Sequence, residues 1–269
     1  MSVATTQWII DTMEKWAPAS WAIDGDNVGL IVGDRTRQVT RVLVSLDLTE
    51  SVLREAVIQK FDFIVTHHPL ISRHTQPINC ITADDQLGKK ILTLIASGIG
   101  VFCAHTNLDA APGGVNDLLF DLIGLHNKES LIKNEEKPTL GLIGYLPQHM
   151  ELWDVAKRVG NALYLPHVRY VGEPDRPVYK VGICGGRGTS LINEAIKQKC
   201  DLFITGDIDY HLASQTIENR MALMDGTHFA TEAPIIEAIV DYLKKSADSQ
   251  GIDLFVEETD TNGQVFKTT

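Results

Sequence analysis

Three short segments of the chain combine histidine with carboxylate residues at spacings that suit a metal site. VTHHPL (65–70) carries His67 and His68, CAHTNLDAAPGGVND (103–117) carries His105 and Asp109, and DGTHFATEAP (225–234) carries His228 and Glu232. In the last two segments the carboxylate follows the histidine by four residues. Imidazole and carboxylate ligands without thiolate suit zinc, iron, manganese or similar divalent cations.

The number of candidate ligands exceeds what one catalytic ion needs. Five of them fit two ions that share a bridging carboxylate: His67, His68, Asp109, His228 and Glu232. Ions of such pairs lie roughly 3.5–4 Å apart and activate a shared water.

The adjacent histidines can share one site only where the strand that carries them ends. Neighbouring residues inside a straight strand point to opposite faces, which would separate the two imidazoles. The apolar run 61–65 predicts a strand, and Pro69 predicts that this strand stops directly after the histidines. There, His67 and His68 could both turn toward one cleft and contact two different ions. A solvated or packed pair is the alternative interpretation.

The other two segments also have structural alternatives. Asp109 could cap a turn and pair with His105. Thr231 could cap a helix that begins near Pro234, which would place Glu232 in the first turn, where a carboxylate is favoured by the helix dipole. This second role does not compete with metal binding.

The elements that must position these residues alternate between strand and helix. Helical spacing covers residues 7–16, 48–60 and 86–97, with Thr5 or Thr6 available to cap the first, and β-branched apolar runs cover 42–46, 61–66, 100–104 and 178–184. Continuous apolar strands between helices predict an α/β fold with mainly parallel sheets covered on both faces.

An internal repeat predicts two related α/β lobes. EAVIQKFDFIVTHH (55–68) and EAIKQKCDLFITGD (194–207) share Glu, Ala, Lys, Asp and Thr at the same offset, although chance similarity between two such units is the alternative. The repeat places Gly206 and Asp207 at the strand end that corresponds to the two histidines, where ligands of open α/β sheets bind. The charged stretch 127–138 is the candidate boundary, so we predict lobes of 1–128 plus 226–269 and of 129–225.

Composition limits the class of protein. Hydrophobic residues make up 44% and charged residues 22% of the 269-residue chain, which is typical of a globular protein. The net charge of −11 makes nucleic-acid binding an unfavourable role, because that affinity comes largely from neutralising phosphates. A local cation could still bind the phosphate of a nucleotide.

Cysteine usage and apolar patterning predict a cytoplasmic protein without membrane association. Cys80, Cys103, Cys184 and Cys200 form no CxxC pair and indicate reduced thiols rather than disulfides or a thiolate zinc site. The N-terminal stretch lacks the pattern of a secretory signal, and the longest apolar stretch, 91–104, is too short to span a bilayer.

Five segments together resemble the Nif-three-like dinuclear metal-centre family, whose members are often named GTP cyclohydrolase I type 2 homologues. They are WAIDGDNVGLIVGD (21–34), VTHHPLI (65–71), CAHTNLDAAPGGVND (103–117), TGDIDYH (205–211) and DGTHFATE (225–232). The resemblance covers nearly the whole chain in order, and the chain is similar to the short form that lacks an extra domain. It implies two α/β lobes with a metal site in the cleft between them.

The resemblance also implies a role for each candidate ligand. His67 and Asp109 would bind one of two divalent ions, and His68 and His228 the other. Glu232 would bridge both ions.

Further residues have less specific expectations. His105 would be an additional ligand or a neighbour of the metals, and with Asp207 and His211 it is a candidate for moving protons. The alternative for the latter two is a local structural pair. Asp24, Asp26 and Asn27 could have a direct role or form only an Asx turn, and the resemblance favours Asn27 near the metal cleft.

A glycine-rich segment, CGGRGTS (184–190), lies between a predicted strand and a helix. Its backbone N–H groups could hold an anion, but a tight turn is the alternative, and the GK[ST] ending of a phosphate-binding P-loop is absent.

The resulting functional hypothesis is a dinuclear metal-dependent hydrolase of GTP cyclohydrolase I type 2-like activity, with a bridging water as nucleophile. Catalytic candidates are Glu232, His105, Asp207 and His211, acting on a nucleotide or another small molecule. A two-metal phosphoesterase or amidohydrolase fits the same ligands, and a metal-binding scaffold or regulatory protein without turnover is the alternative from another class. The resemblance implies a toroidal homo-hexamer built from three dimers.

Overall fold

The computed structural model describes residues 2–72, 78–134, 136–261, 263 and 265–267. The chain forms two compact units, which we call the first unit (Met1–Leu108 and Ile236–Gly263) and the second unit (Asp109–Ile235 and Gln264–Thr269). No helix of the described residues is long and apolar enough to cross a membrane.

The described strands and helices alternate for most of the chain. The strands are β1 Ser2–Thr5, β2 Gly29–Val32, β3 Gln38–Val39, β4 Arg41–Ser45, β5 Phe63–Thr66, β6 Gly100–Cys103, β7 His126–Ser130, β8 Leu142–Glu151, β9 Arg169–Val171, β10 Pro177–Ile183, β11 Leu202–Thr205, β12 Ala222–Asp225, β13 Ile252–Asp253 and β14 Phe255–Glu258. The helices are α1 Thr6–Trp16, α2 Glu50–Ile58, α3 Gln86–Ser97, α4 Thr106–Ala110, α5 Val115–Ile123, α6 Leu152–Ala162, α7 Ile192–Lys197, α8 Tyr210–Glu218, α9 His228–Glu232 and α10 Pro234–Ser249.

The first unit is built on a five-stranded sheet in the order β14-β4-β5-β6-β2. Neighbours from β14 to β6 are parallel, and β2 closes the sheet antiparallel to β6. All residues of β5 and β6 are buried, as the continuous apolar runs predict for strands covered on both faces. A small sheet, β13-β1-β3, also belongs to this unit.

The second unit has a six-stranded sheet in the order β7-β8-β10-β11-β12-β9. Its central strands β10, β11 and β12 are parallel, whereas the strands on either side pair antiparallel. Both units therefore contain three consecutive parallel strands followed by an antiparallel neighbour, which confirms two related α/β lobes.

The two repeat units also share a pattern of hydrogen bonds near the beginning of their parallel strands. Asp62 before β5 accepts from the N–H groups of Thr40 and Arg41 at 2.8 and 3.0 Å. Asp201 before β11 accepts in the same way from Tyr179 and Lys180 at 3.0 and 2.8 Å. Equivalent aspartates thus tie equivalent strands together, and this contact explains why the repeat retains Asp at that position.

Two of the predicted helices, and the predicted cap of the first, agree with the structure. The helix predicted for 7–16 is α1, and the Thr5 hydroxyl accepts from Trp8 N at 3.2 Å, so Thr5 rather than Thr6 is its N-cap. The helix predicted for 86–97 is α3, which Asp85 caps through Gly88 N.

The boundaries of the units differ from the predicted division at 128 and 226. Residues 126–130, which overlap the stretch 127–138 predicted to separate the lobes, form β7 at the edge of the second sheet. Every residue of β7 is exposed, and this explains why an edge strand has the charged composition of a linker. Helix α5 belongs to the second unit, where it packs against α6 and α9, and most of α10 belongs to the first.

Candidate metal centre

Three histidines of the first unit converge at the carboxyl ends of β5 and β6. Thr66 at the end of β5 pairs with Cys103 at the end of β6, so the residues that follow both strands emerge side by side. Ring nitrogens of His67, His68 and His105 lie within 4.8 Å of one another, and the ring centroids are 5.1–5.7 Å apart. The prediction that the adjacent histidines turn to the same side at a strand end is confirmed.

Each of these histidines is held through Nδ1 by an oxygen acceptor. His67 Nδ1 lies 2.8 Å from Ala104 O, His68 Nδ1 lies 2.8 Å from Asp47 Oδ1, and His105 Nδ1 lies 2.9 Å from Asp26 Oδ2. An imidazole that donates from Nδ1 carries its lone pair on Nε2 and is fixed in orientation. All three rings are therefore prepared to bind a metal through Nε2.

Asp26 is the most firmly held of these acceptors. Its side chain is 3% exposed and accepts from His105 Nδ1 and from the backbone N–H and hydroxyl of Thr106. Burial by itself would raise the pKa of Asp26, but the hydrogen bonds from His105 and Thr106 outweigh it and hold this pKa well below its usual range. Asp26 Oδ1 also accepts the local hydrogen bond from the backbone N–H of Asn27. The side-chain amide of Asn27 donates instead to Ile71 O at 2.7 Å. Asp26 is thus more than an Asx turn.

In the second unit, α9 carries the remaining histidine and the buried glutamate. Their spacing of four residues places both on one helix face, and His228 Nε2 lies 3.1 Å from Glu232 Oε2. Asp207 Oδ2 lies 2.8 Å from His228 Nδ1, so this histidine has the same carboxylate support as His68 and His105. Asp207 therefore orients a candidate ligand, a function that the sequence did not indicate.

The sequence predicts that Thr231 caps the helix that begins near Pro234, with Glu232 in its first turn, but Thr231 and Glu232 belong to a separate short helix, α9, which ends before Pro234. Thr227 accepts from Ala230 N at 3.2 Å, whereas the Thr231 hydroxyl lies inside the helix and accepts from Gly186 N at 2.9 Å. Thr227 adopts φ 58° and ψ 151°, a conformation that is unfavourable for a β-branched residue. The strained backbone directly before His228 fixes where α9 begins.

Asp109 lies on α4, the counterpart of α9 in the repeat. Both are five-residue helices that directly follow the third parallel strand of their sheet. A carboxylate oxygen of Asp109 lies within 4.8 Å of one of Glu232, close enough for both to face one ion or two neighbouring ions. His105 pairs with Asp26, so the expected alternative of a local His105–Asp109 pair is not the arrangement that its Nδ1 adopts.

Gly186 packs directly against the Glu232 carboxylate. Its φ is +57°, and a Cβ placed on it would lie 1.9 Å from Glu232 Oε1 and 3.4 Å from His228 Nε2. Any other residue at this position would intrude on the candidate ligands.

His211 and the cysteines contribute differently from the five candidate ligands. His211 is exposed on α8, with its ring centroid 5.6 Å from that of Tyr210. Burial, together with the charges of Asp109 and Glu232, raises the pKa of the buried Cys184 thiol, so the thiol is neutral and a poor metal ligand.

Sequence reasoning named Asp26 without predicting that it supports His105, and it did not name Asp47. Asp47 follows β4 by two residues, so the strand-end rule that singled out the histidines could have found it. Asp26 lies 79 residues before His105 and carries no comparable local signal.

Replacing Asp207 with asparagine is expected to weaken metal binding by about 10- to 100-fold, because the support of His228 Nδ1 becomes uncharged. Asparagine tolerates the left-handed backbone of residue 207, whose φ is 54°, so the fold should be retained. Titration with a metal-competing dye measures the affinity. Asp209→Asn is the matched control, because Asp209 caps α8 and its loss affects that helix alone. Equal metal affinity of the two variants would refute the role of Asp207.

Comparisons with known proteins place the chain in a family. The chain matches the family model DUF34/NIF3 (NGG1p interacting factor 3) over residues 4–263. It is similar to a Clostridium acetobutylicum protein named GTP cyclohydrolase 1 type 2 homolog, with 34% identity over 248 residues that cover 91% of each chain.

Solved structures share the fold over the full length. A Bacillus cereus protein related to NIF3 superimposes with a TM-score of 0.92 at 24% identity and covers 100% of both chains. A Staphylococcus aureus protein superimposes with a TM-score of 0.88 at 27% identity and covers 99% of both. The family match over nearly all residues, the relative at 34% identity and the shared fold show that the chain belongs to the DUF34/NIF3 family.

Proposed function

We propose that the protein is a dinuclear metal-dependent hydrolase. The supporting observation is that all four candidate histidine ligands are held through Nδ1 by an oxygen acceptor, three of them by carboxylates: His67, His68, His105 and His228. Such support is the usual outer environment of metal-binding histidines and is unnecessary for solvated rings.

The donor set fits divalent ions of the zinc, iron and manganese type, since it offers imidazole nitrogens and carboxylate oxygens. In the assignment we propose, His67 and Asp109 bind one ion, and His68 and His228 bind the other. Glu232, which is buried and lies beside His228, is the shared ligand. When bound, two such ions lower the pKa of a shared water and polarise a substrate oxygen or ring carbon.

His105 is the best supported of the candidates for proton transfer. Asp26 holds its Nδ1 proton, which leaves Nε2 to accept a proton or a metal. Asp207 is engaged with His228 Nδ1, so its role is to orient that ring. His211 lies exposed on α8 and would act only on a substrate that reaches it.

For the substrate, we propose GTP, whose imidazole ring would be opened by hydrolysis. The proposal follows the name of the relative from Clostridium acetobutylicum, GTP cyclohydrolase 1 type 2 homolog. Phosphodiesters and cyclic amides are the next substrates to test, because the same ligands suit phosphoester and amide hydrolysis.

Replacing His68 with alanine is expected to remove about one of two bound ions, since the other ion keeps His67 and Asp109. Elemental analysis of the protein after equilibration with zinc or manganese measures the ratio of metal to chain. His126→Ala is the control, because His126 is exposed on the edge strand β7. An unchanged ratio in His68→Ala would contradict the dinuclear assignment.

Turnover is tested with the metal-loaded protein on GTP, phosphodiesters and cyclic amides. Hydrolysis of one of these classes by the native chain, reduced at least 100-fold in Glu232→Gln, supports the hydrolase, because loss of a shared ligand removes the activated water. If metal binds without turnover, and Glu232→Gln alters only assembly, the protein is a metal-dependent scaffold instead.

A toroidal hexamer, which we also propose, would sediment with the mass of six chains.

A further inference from the structure

The loop that follows β10 is fixed by hydrogen bonds from its own backbone N–H groups. Gly185 N donates to Asn116 Oδ1 at 2.9 Å, and Gly188 N donates to the Thr205 hydroxyl at 2.8 Å. Gly186 N donates to the Thr231 hydroxyl at 2.9 Å. These groups are engaged inside the protein, so the glycine-rich segment is a tightly packed turn and does not hold an anion through them.

The same loop lies against the candidate metal ligands of the second unit. A Cβ on Gly186 would lie 1.9 Å from Glu232 Oε1, and one on Gly185 would lie 3.7 Å from Glu232 Cγ. The next residue, Arg187, is exposed, although both glycines that flank it are buried. The loop thus holds the backbone of Arg187 one residue from the closest contact with Glu232.

Arg187 is an exposed cation. Within the described ranges, it forms none of the ion pairs or hydrogen bonds found for the exposed arginine Arg169, which pairs with Asp225. The chain as a whole carries a net charge of −11, so Arg187 places a positive charge near carboxylates in an acidic protein. Guanidinium binds phosphate and carboxylate through two parallel hydrogen bonds.

We propose that Arg187 binds a phosphoryl group of the substrate and so makes the centre selective for phosphorylated compounds. The inference rests on the proposed function, because it assigns a substrate contact to the same centre. The rigid turn would hold the arginine backbone in place, so binding would require ordering of the side chain alone.

The test compares equilibrium binding of GTP and of guanosine to the metal-loaded protein, measured by calorimetry without turnover. Arg187→Ala is expected to bind GTP about 10- to 100-fold more weakly than the native chain, with guanosine binding unchanged. Arg187→Lys should lie between them, since lysine keeps the charge but not the paired hydrogen bonds. Arg54→Ala, which removes an exposed arginine from α2, is the matched control and should bind GTP like the native chain.

Metal content separates substrate binding from support of the metal ligands. Native metal stoichiometry in Arg187→Ala together with weaker GTP binding supports the proposal. Loss of metal, equal GTP affinities of Arg187→Ala and the native chain, or failure of the native chain to distinguish GTP from guanosine would overturn it. If the Arg187 effect holds but no substrate is hydrolysed, the hydrolase proposal fails while the phosphoryl contact stands.

Discussion

Replacing Glu232 with glutamine is expected to lower the bound metal from two ions to fewer than one per chain. The carboxylate is buried, lies 3.1 Å from His228 Nε2 and is within 4.8 Å of the Asp109 carboxylate. As the proposed shared ligand, it would offer negative charge to both ions, whereas glutamine offers one neutral acceptor. The effect should exceed the roughly 10- to 100-fold loss of affinity expected for an outer partner such as Asp207.

Elemental analysis at several free metal concentrations measures this effect. Glutamine has nearly the shape of glutamate, so thermal unfolding should show that the variant remains folded. Glu237→Gln is the matched control, because Glu237 is exposed in the first turn of α10. Retention of two ions at native affinity by Glu232→Gln would rule out a bridging carboxylate at this position.

The second large effect is expected for Gly186→Ala. A left-handed backbone costs a residue with a Cβ about 1–2 kcal/mol. The new methyl group would also overlap Glu232 Oε1, from which an ideal Cβ lies only 1.9 Å away. Overpacking of this kind adds about 1–3 kcal/mol unless the glutamate moves, and movement of the glutamate would displace a candidate metal ligand.

Gly251→Ala separates the two contributions. Gly251 has φ +64°, and a Cβ on it meets no heavy atom within 4 Å among the described residues. The loss of stability in this variant therefore reports the cost of the left-handed backbone alone. Chemical denaturation and metal analysis of both variants should show that Gly186→Ala is the less stable, the poorer in metal, or both. Equal stability and equal metal content of the two variants would show that the position of Glu232 does not depend on the absence of a side chain at Gly186.

Much of the candidate site could be predicted because its ligands follow local rules. His67 and His68 come directly after an apolar run and before Pro69, and that order alone indicates a strand end. The spacing of four residues between His228 and Glu232 predicts a shared helix face. Such signals lie within a few residues of the ligands and survive without knowledge of the fold.

The supporting carboxylates could not be predicted in the same way. Asp26 reaches His105 across 79 residues, and Asp47 reaches His68 across 21. Which aspartate meets which histidine depends on how loops close over the sheet, a long-range property without a sequence period.

The limits of the two units were hidden for a related reason. Strand β7 is exposed throughout, so its composition matches that of a linker although it pairs with β8. The assignment of α5 to one unit and of α10 to the other depends on which core each helix buries its apolar face against. Both helices show similar apolar periodicity, and this periodicity does not indicate which of the two cores each helix packs against.

The first unit is built from two segments that are far apart in the sequence, and this affects the order in which the units can fold during synthesis. Strand β14 pairs with β4, and Leu243 and Ala247 of α10 are buried, so the sheet and core of this unit are complete only after residue 258 has been made. The six-stranded sheet of the second unit is encoded wholly between residues 126 and 225. Domains that are contiguous in sequence fold as they emerge from the ribosome. We therefore expect the sheet of the second unit to form first, while the N-terminal strands stay incompletely paired until residue 258 has been made.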